Sequence, residues 1–182
     1  MRISDTHFRT IWKTESATVR VIDQSRLPFE FTTIDLETLA DAAHAITTMV
    51  VRGAPLIGAT AAYGMALAAR ADPSDSSLAE AARNLQATRP TAINLLWALK
   101  RMRNVLTEVP PRERFDVAFR EAAAICDADV EQCRSIGIHG LEIIRGLAET
   151  AGRKLNILTH CNAGWLACVD WGTARIDRKS VV

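Results

Sequence analysis

A chain of 182 residues with 48% hydrophobic and 24% charged residues has the make-up of an ordinary globular protein, one domain or one and part of a second. With 22 basic and 21 acidic side chains the formal net charge is +1 and no block of like charge occurs, which removes the electrostatic basis for nucleic acid or an anionic membrane as partner. The opening MRISDTHFRT lacks the apolar core of a signal peptide and the longest nearly uncharged run, 56–69, falls short of the ~20 residues of a bilayer span, so a soluble cytoplasmic protein is expected.

FRTIW and ATVRVID, on either side of a polar KTES, alternate as a β-hairpin does. Pro28 ends one element, and a short extended piece follows it. Asp35 is expected to N-cap a first helix carrying Leu36, Leu39, Ala43, Ile46 and Val50 at helical spacing. A second helix starts in the Arg52 region and stops near DPSDSS. Ser77 and Glu80 read as the capping box of a third. Pro90 is expected to open a fourth, with Leu95, Leu96, Leu99, Met102 and Leu106 on its apolar face. Beyond VPPRE a long helical stretch runs from about Glu113 toward Ala148, with interruptions expected near Gly137 and Gly140. The character then changes. LNILTH has the length of a strand, CNAG that of a turn, and WLACVDW reads as a helix, the opening of a parallel α/β layer. A parallel strand needs neighbours and cover on both faces, so the chain is expected to be cut short inside a second domain. The last residues, 175–182, are expected to be a non-native tail, because DRKSVV is also what an adapter-like DNA string encodes.

Two arginines stand out. Arg52 lies directly before the second helix and Arg89 directly before Pro90, where a cation adds to the positive end of the helix dipole instead of offsetting it. Two readings stand side by side. In one, an anion of phosphate size is held by the guanidinium groups and by N–H groups around Gly53 and Ala54. In the other, both side chains reach into solvent and pair with surface carboxylates.

The four cysteines, Cys126, Cys133, Cys161 and Cys168, show no C-x-x-C spacing. A zinc site built from them with His139 or His160 therefore has no motif behind it, and disulfides lack a secretory context. Core packing is the expected role of Cys126, Cys133 and Cys168. Cys161 sits between strand and helix, where it is a reactive thiol favoured by helix N–H groups or an inert buried one. His160 and Cys161 would point to opposite faces of a strand, so they form no dyad. His139 reads as structural, and His7 and His44 give no constellation.

Taken together and in this order, FRTIW, VIDQSRLP, MVVRGAPLIGATAAYGMALA, RPTAINLLWAL, IGIHGLEII and ILTHCNAGWLACVDWGTA resemble the S-methyl-5-thioribose-1-phosphate isomerases of methionine salvage, a family shared with the regulatory subunits of initiation factor 2B. The resemblance covers residues 1–174, the first half of a family member, and IDQSRLP with THCNAG looks like the isomerase branch. It implies an α+β N-terminal domain over 1–150, short antiparallel strands followed by a helical bundle. It further implies that 151–174 is the truncated start of a Rossmann-like α/β domain. The implied activity converts the aldose 5-methylthioribose 1-phosphate to the ketose 5-methylthioribulose 1-phosphate, with no metal or organic cofactor. Arg52, Gly53, Ala54 and Arg89 would contact the substrate, whose phosphate is the anion the arginines lack, and Cys161 would be catalytic. The full-length protein is expected to be a homodimer, and because the family's catalytic aspartate belongs to the second half, this chain alone is expected to be inactive. A related ribose 1,5-bisphosphate isomerase and a non-catalytic regulatory subunit are the alternatives.

Overall fold

The alternating residues near the N-terminus fold into two antiparallel pieces in the computed structural model, which describes residues 2–3, 5–153 and 155–174. Strand β1 (Arg2–Ile3) pairs with β2 (Thr6–His7), and β3 (Ile11–Lys13), β4 (Val19–Ile22) and β5 (Thr33–Leu36) form a three-stranded sheet in that order. Ile11, Val19, Val21 and Leu36 point into the core, while the cross-strand neighbours Arg20 and Asp35 face outward. These two make a bidentate ion pair at 2.5 and 2.7 Å. Asp35 is therefore a strand residue and not the N-cap expected of it.

The cap of α1 (Leu39–Thr47) is Thr38, in a reciprocal box with Asp41. Partial burial alone would raise the Asp41 carboxyl, but bonds from the Thr38 hydroxyl and the Glu37 and Thr38 N–H groups outweigh it and hold the group below the usual carboxylate range. With the cap three residues later than expected, Leu36 belongs to β5 and Val50 lies beyond the helix, and the buried face of α1 is Ala42, Ala45 and Ile46.

Helix α2 (Ala54–Ala71) is the axis of the bundle: its residues from Leu56 to Ala69 are buried without a break. A helix apolar on all sides has no solvent face, so its neighbours surround it. Small residues let them come close. A β-carbon on Gly64 would lie 3.1 Å from Leu85 in α3 (Asp75–Thr88) and 3.2 Å from Ala42 in α1. One on Gly58 would lie 2.9 Å from the Asn94 carbonyl oxygen in α4 (Ile93–Thr107). Ser74, not Ser77, caps α3 by accepting from the Ser77 N–H. Pro90 also falls outside its expected place. It sits in a β-turn closed by the Ala92 N–H on the Arg89 carbonyl at 3.0 Å, a turn in which proline's fixed φ is as useful as at a helix start.

Helix α5 (Arg114–Ala151) runs for 38 residues, about 57 Å at 1.5 Å per residue, through Gly137 and Gly140 without interruption. A glycine in a helix interior costs only about 1 kcal/mol relative to alanine, and no proline is there to end the ladder. The helix stops instead at Gly152, whose φ of 61° is the left-handed cap. No described helix is long and apolar enough to cross a membrane.

Arg114 fastens the start of α5. It is 4% exposed, donates to the Val109 and Pro73 carbonyls at 3.1 and 2.7 Å, and pairs with Asp75 at 2.6 Å. Arg114→Leu is expected to lower unfolding free energy by about 2–3 kcal/mol, since the carbonyls lose a charged donor. A drop in the urea midpoint at unchanged slope is the measurement.

The α/β opening expected at 155–171 takes another form. Residues 155–160 carry no strand, and within 165–171 only Trp165–Ala167 form a 3₁₀ turn. An isolated extended segment has no ladder partner, so nothing holds it as a strand. The residues after it dock on the bundle: the Thr10 N–H donates to the Val169 carbonyl at 2.8 Å, the Thr10 hydroxyl to the Cys168 carbonyl at 2.6 Å, and Val169 is wholly buried. The tail at 175–182 lies outside the described residues.

Candidate active site

The chain leaves α1 through Met49 at φ 62°, runs through fully buried Val51, and turns into α2 at Gly53. Gly53 has a φ of 107°, and a β-carbon there would lie 2.4 Å from the Ala167 Cα. Its bare backbone is thus needed by the 3₁₀ turn that packs against it, whatever else approaches. Gly53→Ala is expected to cost about 1–3 kcal/mol from the forced φ alone, and more from the overlap. Hydrogen exchange should register it first at the Thr10 amide, which the docked Val169 carbonyl protects.

The N-termini of α1 to α4 divide into two kinds, while α5 has no side-chain cap but carries Asp116 in its first turn. Those of α1 and α3 are capped by Thr38 and Ser74 and carry Asp41 and Asp75 in the first turn. Those of α2 and α4 have neither a side-chain cap nor an acidic residue in the first turn. Arg52 precedes the first of these and Arg89 lies in the turn before the second. Arg52 is exposed and Arg89 half-buried, and among the described residues neither guanidinium has an ion-pair or hydrogen-bond partner. Among the described residues, the pairing with surface carboxylates that the sequence left open is not made. The contact between Gly58 and Asn94 brings the two uncapped starts together. Beside them, a cavity of about 150 Å³ is lined by Pro55, Gly58, Asn94, Trp97, Asp129 and others from α2, α4 and α5. Unsatisfied N–H groups, two free guanidinium groups and an adjoining recess suit an anionic small molecule.

Cys161 is exposed, with a φ of 69°. No helix follows it directly, so helix N–H groups do not reach it as expected. Its left-handed backbone is a strained state for a non-glycine residue, of the sort retained where a side chain must be presented. The other three cysteines are buried and free. Burial first, then nearby carboxylate charge, pushes the Cys126 thiol up to about 12. His139 bonds the Ser135 carbonyl at 2.7 Å within its own helix, as expected of a structural residue.

Two features carry no periodic signal and were not read from the sequence. His7 Nε2 lies 2.9 Å from Asp170 Oδ2, a pair joining β2 to the docked segment. Gln24, 2% exposed, donates from Nε2 to the Leu166 carbonyl at 2.7 Å, while its N–H binds the Val50 carbonyl at 2.9 Å. It joins IDQSRLP, the approach to RGAP and the 3₁₀ turn at one point. Its Oε1 is buried with no partner among the described residues.

Known proteins are similar to this chain in sequence and fold. Residues 50–175 match the initiation factor 2 subunit family. A methylthioribose-1-phosphate isomerase of Rhodospirillum centenum is 58% identical over 176 residues, covering 96% of this chain and 47% of that protein. The crystal structure of 5-methylthioribose 1-phosphate isomerase from Pyrococcus horikoshii is similar with a TM-score of 0.78 and 36% identity, over 94% of this chain and 50% of that one. The translation initiation factor eIF-2B delta subunit of A. fulgidus is similar with a TM-score of 0.75 and 37% identity, over 91% and 48%. The chain spans about half the length of the curated relatives it matches. By the match across most of its length, the chain belongs to the initiation factor 2 subunit family.

Proposed function

We propose that this chain supplies the phosphate-binding and thiol-bearing half of an aldose–ketose isomerase acting on 5-methylthioribose 1-phosphate. The observation that carries the reading is the pair of uncapped, acid-free helix starts of α2 and α4, with Arg52 directly before the first and Arg89 in the turn before the second, neither guanidinium partnered among the described residues. In this reading Arg52 and Arg89 hold the phosphate, assisted by the backbone at Gly53 and Ala54. Isomerisation breaks the bond between C1 and the ring oxygen, moves the C2 hydrogen to C1 and passes the C2 hydroxyl proton to the former ring oxygen, so it needs no external oxidant or reductant. In this reading Cys161 assists that transfer. No metal or organic cofactor enters the scheme.

In this reading residues 151–174 open a Rossmann-like α/β domain, whose further strands would give 155–160 its ladder partners, and a catalytic aspartate and the dimer interface belong to that domain. The protein acts in the cytoplasm in this reading.

The test is a chimera in which this chain's residues 1–174 replace the matching half of the Rhodospirillum centenum isomerase, 58% identical to it. Isomerisation of 5-methylthioribose 1-phosphate by the chimera supports the reading; a folded chimera with no turnover sinks it. The similarity to the A. fulgidus subunit favours one second reading, a regulatory subunit that binds a phosphorylated ligand without converting it. A folded chimera that binds the sugar phosphate but never isomerises it would favour that.

A further inference from the structure

Away from the arginines, α5 and the docked segment bring three metal-ligating side chains together. Asp129 and Cys133 lie one helical turn apart on α5, and Cys168 follows the 3₁₀ turn. One carboxylate oxygen and the two sulfurs all lie within 4.8 Å of one another, the only such group of three found among the described residues. Cys133 and Cys168 are each 1% exposed, and Asp129 is half-buried.

We propose that Asp129, Cys133 and Cys168 form a binding site for a thiophilic divalent cation of the zinc class, which clamps the 165–169 segment to α5. The inference stands independently of the isomerase reading.

Several features favour a built site over incidental packing. Zinc–sulfur bonds of about 2.3 Å and zinc–oxygen bonds of about 2.1 Å put tetrahedral donor atoms roughly 3.5–3.8 Å apart, so closing on a cation asks separations of at most 4.8 Å to shrink by about 1.3 Å or less. Asp129 Oδ1 already stands 4.0 Å from Cys133 Sγ. Its other oxygen, Oδ2, accepts the Val169 N–H at 2.8 Å, an outer bond that fixes the carboxylate and leaves Oδ1 to coordinate. Cys168 is held in turn by its N–H on the Trp165 carbonyl at 3.1 Å and by the Thr10 hydroxyl on its own carbonyl at 2.6 Å. Asp129 also borders the 150 Å³ cavity between α2, α4 and α5, which gives a route inward and room for a water as fourth ligand. On ligation two metal–sulfur bonds form, two S–H bonds break and both protons pass to the solvent. Spacing in the chain conceals the group, because Cys133 and Cys168 are 35 residues apart and meet only when the segment docks.

The experiment titrates the reduced, chelator-stripped 182-residue chain with Co²⁺, then with Zn²⁺. Expected are one-to-one uptake, cobalt–thiolate charge-transfer and tetrahedral visible bands, and their disappearance on zinc addition. C133S and C168S should each weaken binding by about a hundredfold or more and remove charge-transfer intensity. D129N should weaken binding but keep the thiolate signature. Cysteine-to-alanine variants, which keep a small apolar group in the packed site, replace any serine variant whose circular dichroism shows it unfolded. C161S serves as the control for the exposed thiol and should bind cobalt as the parent does. No saturable uptake overturns the proposal. So do bands that survive loss of Cys133 and Cys168, and bands lost in C161S instead. Recovery of Cys133 and Cys168 as a disulfide that takes up no cobalt once reduced also overturns it.

Discussion

Turnover by the chimera is expected to fall by about 10²–10⁴ when Cys161 is replaced by serine, the range a positioned proton-transfer group contributes. A hydroxyl is far less acidic than a thiol, yet close in size, so the exchange removes chemistry and leaves shape. Cys161 is exposed and has no side-chain bond to lose among the described residues, so stability should stay within about 0.5 kcal/mol of the parent. Substrate binding should persist, which makes the split between turnover and affinity the informative readout. A Cys161→Ser chimera with undiminished turnover would remove Cys161 from the mechanism while leaving the anion site standing.

Arg52→Ala is expected to weaken binding of 5-methylthioribose 1-phosphate to the chimera by about ten- to a hundredfold, and Arg89→Ala by a similar factor. A hydrogen bond to a charged group contributes about 1.5–3 kcal/mol, and each 1.4 kcal/mol is a factor of ten. Because neither guanidinium has a protein partner in the described structure, neither substitution takes a fold contact with it. Urea midpoints should therefore stay where they are while affinity drops. If both arginines hold one phosphate, the double variant will fall short of the product of the single losses, since the first loss already loosens the ligand. Calorimetric titration of the four proteins closes the cycle. Strict additivity would place the two side chains on separate ligands.

The interplay of Gly53 and Ala167 shows how a site residue gains a second constraint. RGAP suggested a glycine left bare for an anion, whereas the structure finds a peptide segment already packed where a side chain would go. The two demands are compatible, because a β-carbon and the backbone N–H point in different directions. One consequence is that Gly53 substitutions report on docking as well as on binding, and so are poor probes of the ligand alone.

Local chemistry settled a good deal. Period-two alternation in 11–22 produced the hairpin, the uncharged run at 56–69 became the buried axis, and the position of Arg52 before a helix start was legible because dipole and charge conflict there, whereas Arg89 closes α3 as its C-cap, where a cation suits the dipole, and stands three residues before the Ala92 cap of α4. Competing caps such as Asp35 against Thr38, or Pro90 as turn against helix start, were not settled locally, since each residue serves either place and neighbouring strands decide. Nor could any local rule bring Gln24 to Leu166, His7 to Asp170 or Cys133 to Cys168, for those meetings depend on a late segment returning to the bundle over more than thirty residues of chain. Periodicity records which face of an element is apolar, and so it finds elements. Which two faces meet, and which polar atoms they trap between them, is decided only when the whole core closes.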